Sequence, residues 1–173
     1  MINIDCIYAK GGIMAHKVLI ALDSSAGAWR AVEYVAEAFG HAPGVQVMLL
    51  HVLSGLPPAF WDDGHILEAK EKESRQRLVA GWQKEQEKKW QGLVQKAHDR
   101  LTKAGVSKDA VVNKFKPKYF DVAEDILSEA AAGSFDTIVM GRRGLGTAKA
   151  LLLGSVTNKV VQNAKGRGVT IVG

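Results

Sequence analysis

The chain has 173 residues, 47% of them hydrophobic and 24% charged, which is the composition of an ordinary globular protein with length for one well-buried core rather than two. No apolar run approaches a bilayer span, no secretory leader pattern opens the sequence, and Cys6, the single cysteine, has no internal disulfide partner, so a cytoplasmic protein is expected. The net charge of +5 invites a nucleic-acid reading, but between Lys70 and Lys103 the basic residues alternate with glutamates, as in Glu73 with Arg77 and Glu85 with Lys89; this is the pattern of a solvated helix face, and neither nucleic acid nor membrane is an expected partner.

Residues 1–16 show no sustained period and read as a flexible tail. The natural start is open between Met1 and Met14, the latter because Lys10-Gly11-Gly12 can be encoded by a purine-rich ribosome-binding sequence just upstream. Residues 17–173 read as a single domain. Short apolar runs at 18–22, 45–52, 110–115, 137–140 and 169–172 alternate with helical patterns, the signature of an α/β fold with a mostly parallel sheet. Their continuous apolar character fits strands covered on both faces.

Between the first two runs, a helix over 25–39 places Ala28, Val32, Val35 and Phe39 on one face, with Ser24 or Ser25 as its cap. After the second run, "SGLPPAFWDDG" reads as a loop, and its Trp61 is expected to cover or sense a ligand at that edge of the sheet. Residues 65–104 then read as one long helix or two, ending at Gly105. Trp90, Leu93, Val94, Ala97 and Leu101 form a core-facing stripe; the earlier half has only Leu78, Val79 and Trp82, so it is expected to overhang the domain or meet a protein partner. A helix over 119–132 buries Val122, Ile126, Leu127 and Ala130, and a last one over 155–164 turns Val156, Val160 and Val161 inward.

The chemistry concentrates after the fourth run. From Thr137 to the end the chain carries Arg142, Arg143, Lys149, Lys159, Lys165 and Arg167 and no acidic residue, which predicts a local anion site. Strand-loop-helix units put helix N-termini, with unpaired N–H groups and a positive dipole end, at the carboxyl edge of the sheet. Gly141 and Gly144 offer close backbone approach there, and after nine intervening residues come Gly154 and Ser155, with the Ser155 and Thr157 hydroxyls beside them. The stretch lacks the Gly-Lys-Ser/Thr ending of a P-loop. No residue is read as catalytic: His51, inside an apolar strand, reads as a core histidine, Ser24-Ser25 has no triad partner, and no Cys/His cluster has metal-ligand spacing.

With this spacing the chain resembles the universal stress protein family in its nucleotide-binding branch. The likeness covers residues 17–173, through "KVLIALDSS", "VMLLHVLS" and "DTIVMGRRGLGTAKALLLGSVTNKVV". The resemblance implies a three-layer, Rossmann-like α/β sandwich whose five parallel strands are ordered 3-2-1-4-5. It implies ATP, or ADP or AMP, as ligand, with any Mg2+ held mainly by the phosphates. Asp23 and Val52 would contact the nucleoside, Val52 beside adenine, and Gly141, Gly144, Gly154, Ser155, Val156 and Thr157 would hold ribose and phosphates. Arg142 and Arg143 are secondary candidates for screening phosphate charge. A homodimer through the last strand and a role as a nucleotide-dependent stress-response regulator follow from the same likeness. The alternatives are a slow ATPase or phosphotransferase of the same fold, or a nucleotide-free scaffold acting through the long helix. Two stretches depart from the family pattern: Phe120 stands where glycine is frequent, and "GRGVTI" replaces a proline-containing approach to the last strand.

Overall fold

Five parallel strands, β1 (Lys17–Ala21), β2 (Gln46–Leu53), β3 (Val111–Pro117), β4 (Thr137–Gly141) and β5 (Gly168–Val172), form one sheet in the order β3-β2-β1-β4-β5. The computed structural model describes residues 15–53, 69–119, 121–144 and 153–173, so the expected ligand-covering Trp61, Phe120 and most of the expected tail lie outside the described residues. His16 belongs with the fold: its carbonyl accepts from Gln46 N–H at 3.0 Å and its ring stacks on Phe39.

Side chains alternate across each strand, and the strands separate two apolar cores. Val18, Ile20, Val47 and Leu49 pack against α1 (Ala26–Phe39) and α2 (Ala69–Lys103) on one face. Leu19, Leu50, Val52, Ile138 and Met140 pack against α3 (Val122–Ala132) and α4 (Ser155–Asn163) on the other. This is the three-layer arrangement, with burial on both faces explaining the unbroken apolar runs.

Capping residues set where the helices begin. Ser25 caps α1, its hydroxyl accepting from Ala28 N–H at 3.1 Å. Asp121 caps α3 in the same way through Glu124 N–H at 2.9 Å, so α3 begins at Val122 and not at 119 as the periodicity predicts. In α4, Val160 is fully buried while Val161, expected inward, is 43% exposed, because one residue further turns the side chain about 100° around the helix.

Over the described residues the long second segment is one helix of 35 residues, ending before Gly105, whose φ of +109° suits glycine. Trp90, Ala97 and Leu101 are buried as expected. At about 1.5 Å per residue α2 is roughly 52 Å long, whereas strands of this length span roughly 16–27 Å. Because α2 leads from the carboxyl end of β2 to the amino end of β3, its surplus length lies beyond the carboxyl edge; there Leu78 is 59% exposed.

Candidate functional site

The chain leaves β1 toward β2 and leaves β4 toward β5, so neighbouring connections diverge between β1 and β4 and open a crevice at the carboxyl edge. A cleft of about 500 Å³ lies there, a size suited to a small-molecule ligand. Asp23, Val52, Gly141, Arg143, Gly144, Gly154, Ser155, Val156 and Thr157 all line it, whereas Arg142 is exposed and does not. Its apolar wall, which the motif reading did not include, comes from Val122 and Ile126 of α3 together with Leu50 and Met140. The signal for these was their place at strand ends and in the first turns of helices.

The two glycine half-sites are tied together by backbone. Arg142 N–H donates to Val172 carbonyl (2.8 Å), Gly154 N–H to Arg142 carbonyl (3.0 Å), and the buried Thr157 hydroxyl to Gly141 carbonyl (3.1 Å). Thr157 therefore spends its hydrogen on joining α4 to the end of β4. Gly141 has a packing role as well: a Cβ there would lie 2.4 Å from the carbonyl carbon of Gly27, where the first turn of α1 crosses β4. Sequence reasoning missed Gly27, because nothing local marks a backbone crossing between distant segments.

Gly144 is different. A Cβ on it would lie 2.7 Å from Asp23 Oδ2, so this glycine borders the carboxylate directly. Asp23 Oδ1 accepts from Ser25 N–H at 2.9 Å, which leaves Oδ2 as the oxygen on the Gly144 side. Across from it α4 starts at Gly154 without a side-chain cap, and among the described residues the N–H groups of Ser155, Val156 and Thr157 have no acceptor. These are the orphan donors that favour an anion. The first turns of α1 and α4 contain no acidic residue, whereas that of α3 holds Glu124 and Asp125. The uncapped positive end facing the cleft is therefore that of α4, since Ser25 caps α1 and the Asp23 carboxylate sits at its start.

On the other side of β1, Val52 presents backbone. Leu50 carbonyl accepts from Leu22 N–H (2.8 Å) on the β1 side, and Leu53 carbonyl accepts from Lys118 N–H (3.1 Å) on the β3 side. Alternation turns the N–H and C=O of Val52 toward β1, which has already ended at Ala21. Among the described residues neither group has a partner. Beside it, His51 Nδ1 donates to Leu22 carbonyl at 2.7 Å, and its ring stacks on Trp90 and Phe115.

The α3 wall is fastened to α4. Lys159 Nζ donates to the capping carboxylate Asp121 and, at 2.9 Å, to Glu124 Oε1. The Lys159 hydrogen bond lowers the pKa of Asp121, and hydrogen bonds from Lys159 to Asp121 and Glu124 raise that of Lys159. Behind it, buried Asp125 accepts from Tyr119 N–H at 2.8 Å and pairs with Lys116 at 3.4 Å.

The sequence and the fold have counterparts among known proteins. The sequence model of the Universal stress protein family matches residues 14–172. The chain belongs to the universal stress protein family. A curated relative, the universal stress protein in the QAH/OAS sulfhydrylase 3'region of Thermus aquaticus, is 30% identical over 152 residues, 87% of this chain and 94% of that protein. Among solved structures, hypothetical protein MJ0577 is 26% identical with a TM-score of 0.68, covering 92% of this chain and 96% of its own. A universal stress protein from Archaeoglobus fulgidus, solved in complex with dAMP, shares the fold at 21% identity and a TM-score of 0.56, covering 94% of this chain and all of its own. As a universal stress protein this chain has the Rossmann-like sheet of its family, in the 3-2-1-4-5 order. No helix among the described residues is long and apolar enough to cross a membrane, and no group of three or more His, Cys, Asp or Glu among them is placed to hold a metal ion.

Proposed function

We propose that the cleft binds an adenine nucleotide, with ATP as the full-length ligand and ADP or AMP as shorter occupants, and that occupancy makes the protein a nucleotide-dependent stress-response regulator in the cytoplasm. The observation that carries this reading is the pair of Val52 backbone groups without a partner among the described residues, facing the cleft from one side of β1, with the N–H groups of the first turn of α4, likewise without a described acceptor, on the other. A donor and an acceptor on one residue match the N1 acceptor and N6 amino donor of adenine, and guanine, with N1–H and O6, inverts that pattern. The phosphates then lie toward Gly144, Gly154 and Ser155, away from the acidic first turn of α3. Asp23, through Oδ2, suits a ribose hydroxyl. The dAMP complex of a fold relative supports the same ligand class.

Asp23 is the one carboxylate among the described lining residues and already accepts from Ser25, so Mg2+ on a bound triphosphate would be held mainly by phosphate oxygens. The same residue set offers binding and orientation. A homodimer through β5 and partner contacts on the α2 overhang are part of this proposal.

Mass spectrometry of small molecules released from denatured, freshly purified protein, followed by calorimetry with ATP, ADP, AMP and GTP, tests the reading. Adenine nucleotide in the released fraction and a clear preference for ATP over GTP are expected. Equal affinity for the two purine nucleotides would remove Val52 as the base seat, and rapid ATP turnover would replace the regulator with an ATPase.

A further inference from the structure

We infer that His51 is a positioning residue for base recognition: by occupying the Leu22 carbonyl it keeps the Val52 backbone N–H available to the ligand. The inference rests on the proposed seat of the base at Val52.

The last rung between β1 and β2 is Leu22 N–H to Leu50 carbonyl, 2.8 Å. In a parallel ladder the next rung would be Val52 N–H to Leu22 carbonyl. That rung is absent, and the carbonyl instead accepts from His51 Nδ1 at 2.7 Å. A carbonyl only accepts, so Nδ1 carries the hydrogen. The imidazole lies on the α1/α2 face of the sheet, stacked on Trp90 (centroids 5.1 Å apart) and Phe115 (5.5 Å). A bond to an imidazole on that face competes with the in-plane rung from Val52, and with it in place that rung is not made. Two ring contacts hold the imidazole there, and the turn so fixed leads directly into Asp23. Without the Nδ1 donor the ladder can close by one more rung, and an incoming base must then break a backbone hydrogen bond. One such bond corresponds to about fivefold to tenfold in affinity.

His51→Phe keeps a ring for the stack and removes the donor; His51→Asn restores an N–H near the Nδ1 position. In calorimetry His51→Phe is expected to weaken adenosine and ATP alike, by about fivefold to tenfold, and to erode the preference for adenine over guanine, with His51→Asn recovering most of both. By NMR the Val52 amide of free His51→Phe should already stand downfield, as in a closed ladder. Unchanged adenosine affinity, a loss confined to phosphorylated ligands, or a lower melting temperature with the base preference intact would overturn the role. So would a hydrogen on Nε2 instead of Nδ1 in the imidazole nitrogen spectrum of the wild type, a measurement that requires no variant to fold. If wild-type protein fails to bind adenosine, the base seat itself falls; the histidine tautomer and the free-state Val52 amide still test whether His51 opens the ladder.

Discussion

Gly141 and Gly144 stand three positions apart in one motif, yet they answer to different neighbours. The space a Cβ would need at Gly141 is filled by Gly27 backbone, whereas at Gly144 it is bordered by the movable end of Asp23. Gly141→Ala should therefore push α1 off β4 and destabilise the fold by about 1–3 kcal/mol, a loss of roughly 2–12 °C in Tm for a chain of this size. Gly144→Val should leave Tm nearly unchanged and abolish ATP binding, because a branched side chain there displaces the Asp23 carboxylate and fills the phosphate side of the cleft. Calorimetry alongside thermal melts separates the two, and a folded Gly144→Val protein with wild-type ATP affinity would remove the site assignment. In the sequence both glycines read as places for ligand approach. The packing need of Gly141 was hidden because Gly27 belongs to a distant segment, and Thr157 was legible as a polar helix-start residue but not as the clasp on Gly141 carbonyl.

Elements were legible where one residue type decides them. The apolar runs located all five strands to within two residues, and the pair Ser24-Ser25 marked the start of α1, with Ser25 the residue that caps it. The start of α3 was misplaced because Tyr119 continues the apolar pattern, and only the Asp121 side chain on Glu124 N–H fixes the boundary. That cap is also where α3 and α4 are joined, by Lys159. Asp121 titrates below its ordinary 3.8 when folded, so its share of the stability is present above that value and is lost as pH falls through the lowered pKa. Lys159 titrates above its ordinary 10.5, so its share is present below that value and is lost as pH rises through the raised pKa. Between these limits the clasp is intact. Lys159→Met should thus lower Tm modestly near neutral pH, as befits an exposed pair, and the difference from wild type should shrink toward zero in acid below the Asp121 titration. A difference that persists undiminished in acid would show that Lys159 stabilises through its hydrocarbon stem and not through the carboxylates.

At the scale of the molecule, strand order was the property that local pattern left open: five apolar runs are compatible with several parallel sheets, and the 3-2-1-4-5 order entered through the family resemblance. That order leaves β3 and β5 as edges, and they differ. On β3 the lysines are engaged, Lys114 with Glu129 at 2.6 Å and Lys116 with Asp125, so charge lines that edge of the sheet. The β5 strand, Gly168–Val172, contains no charged residue. Gly168 N–H donates to Asp136 carbonyl and Val172 carbonyl accepts from Arg142 N–H, so the even-numbered residues of β5 face β4 and the backbone groups of Val169 and Ile171 face outward. If the proposed dimer forms by pairing of these edges, Ile171→Pro removes one outward donor and leaves every rung to β4 in place. Light scattering coupled to size exclusion should then show a dimer for wild type and a monomer for the variant, with ATP affinity unchanged because the cleft is built from the other end of α4 and from β1, β2 and β4. A wild-type monomer, or a variant that stays dimeric, would move the partner surface away from β5.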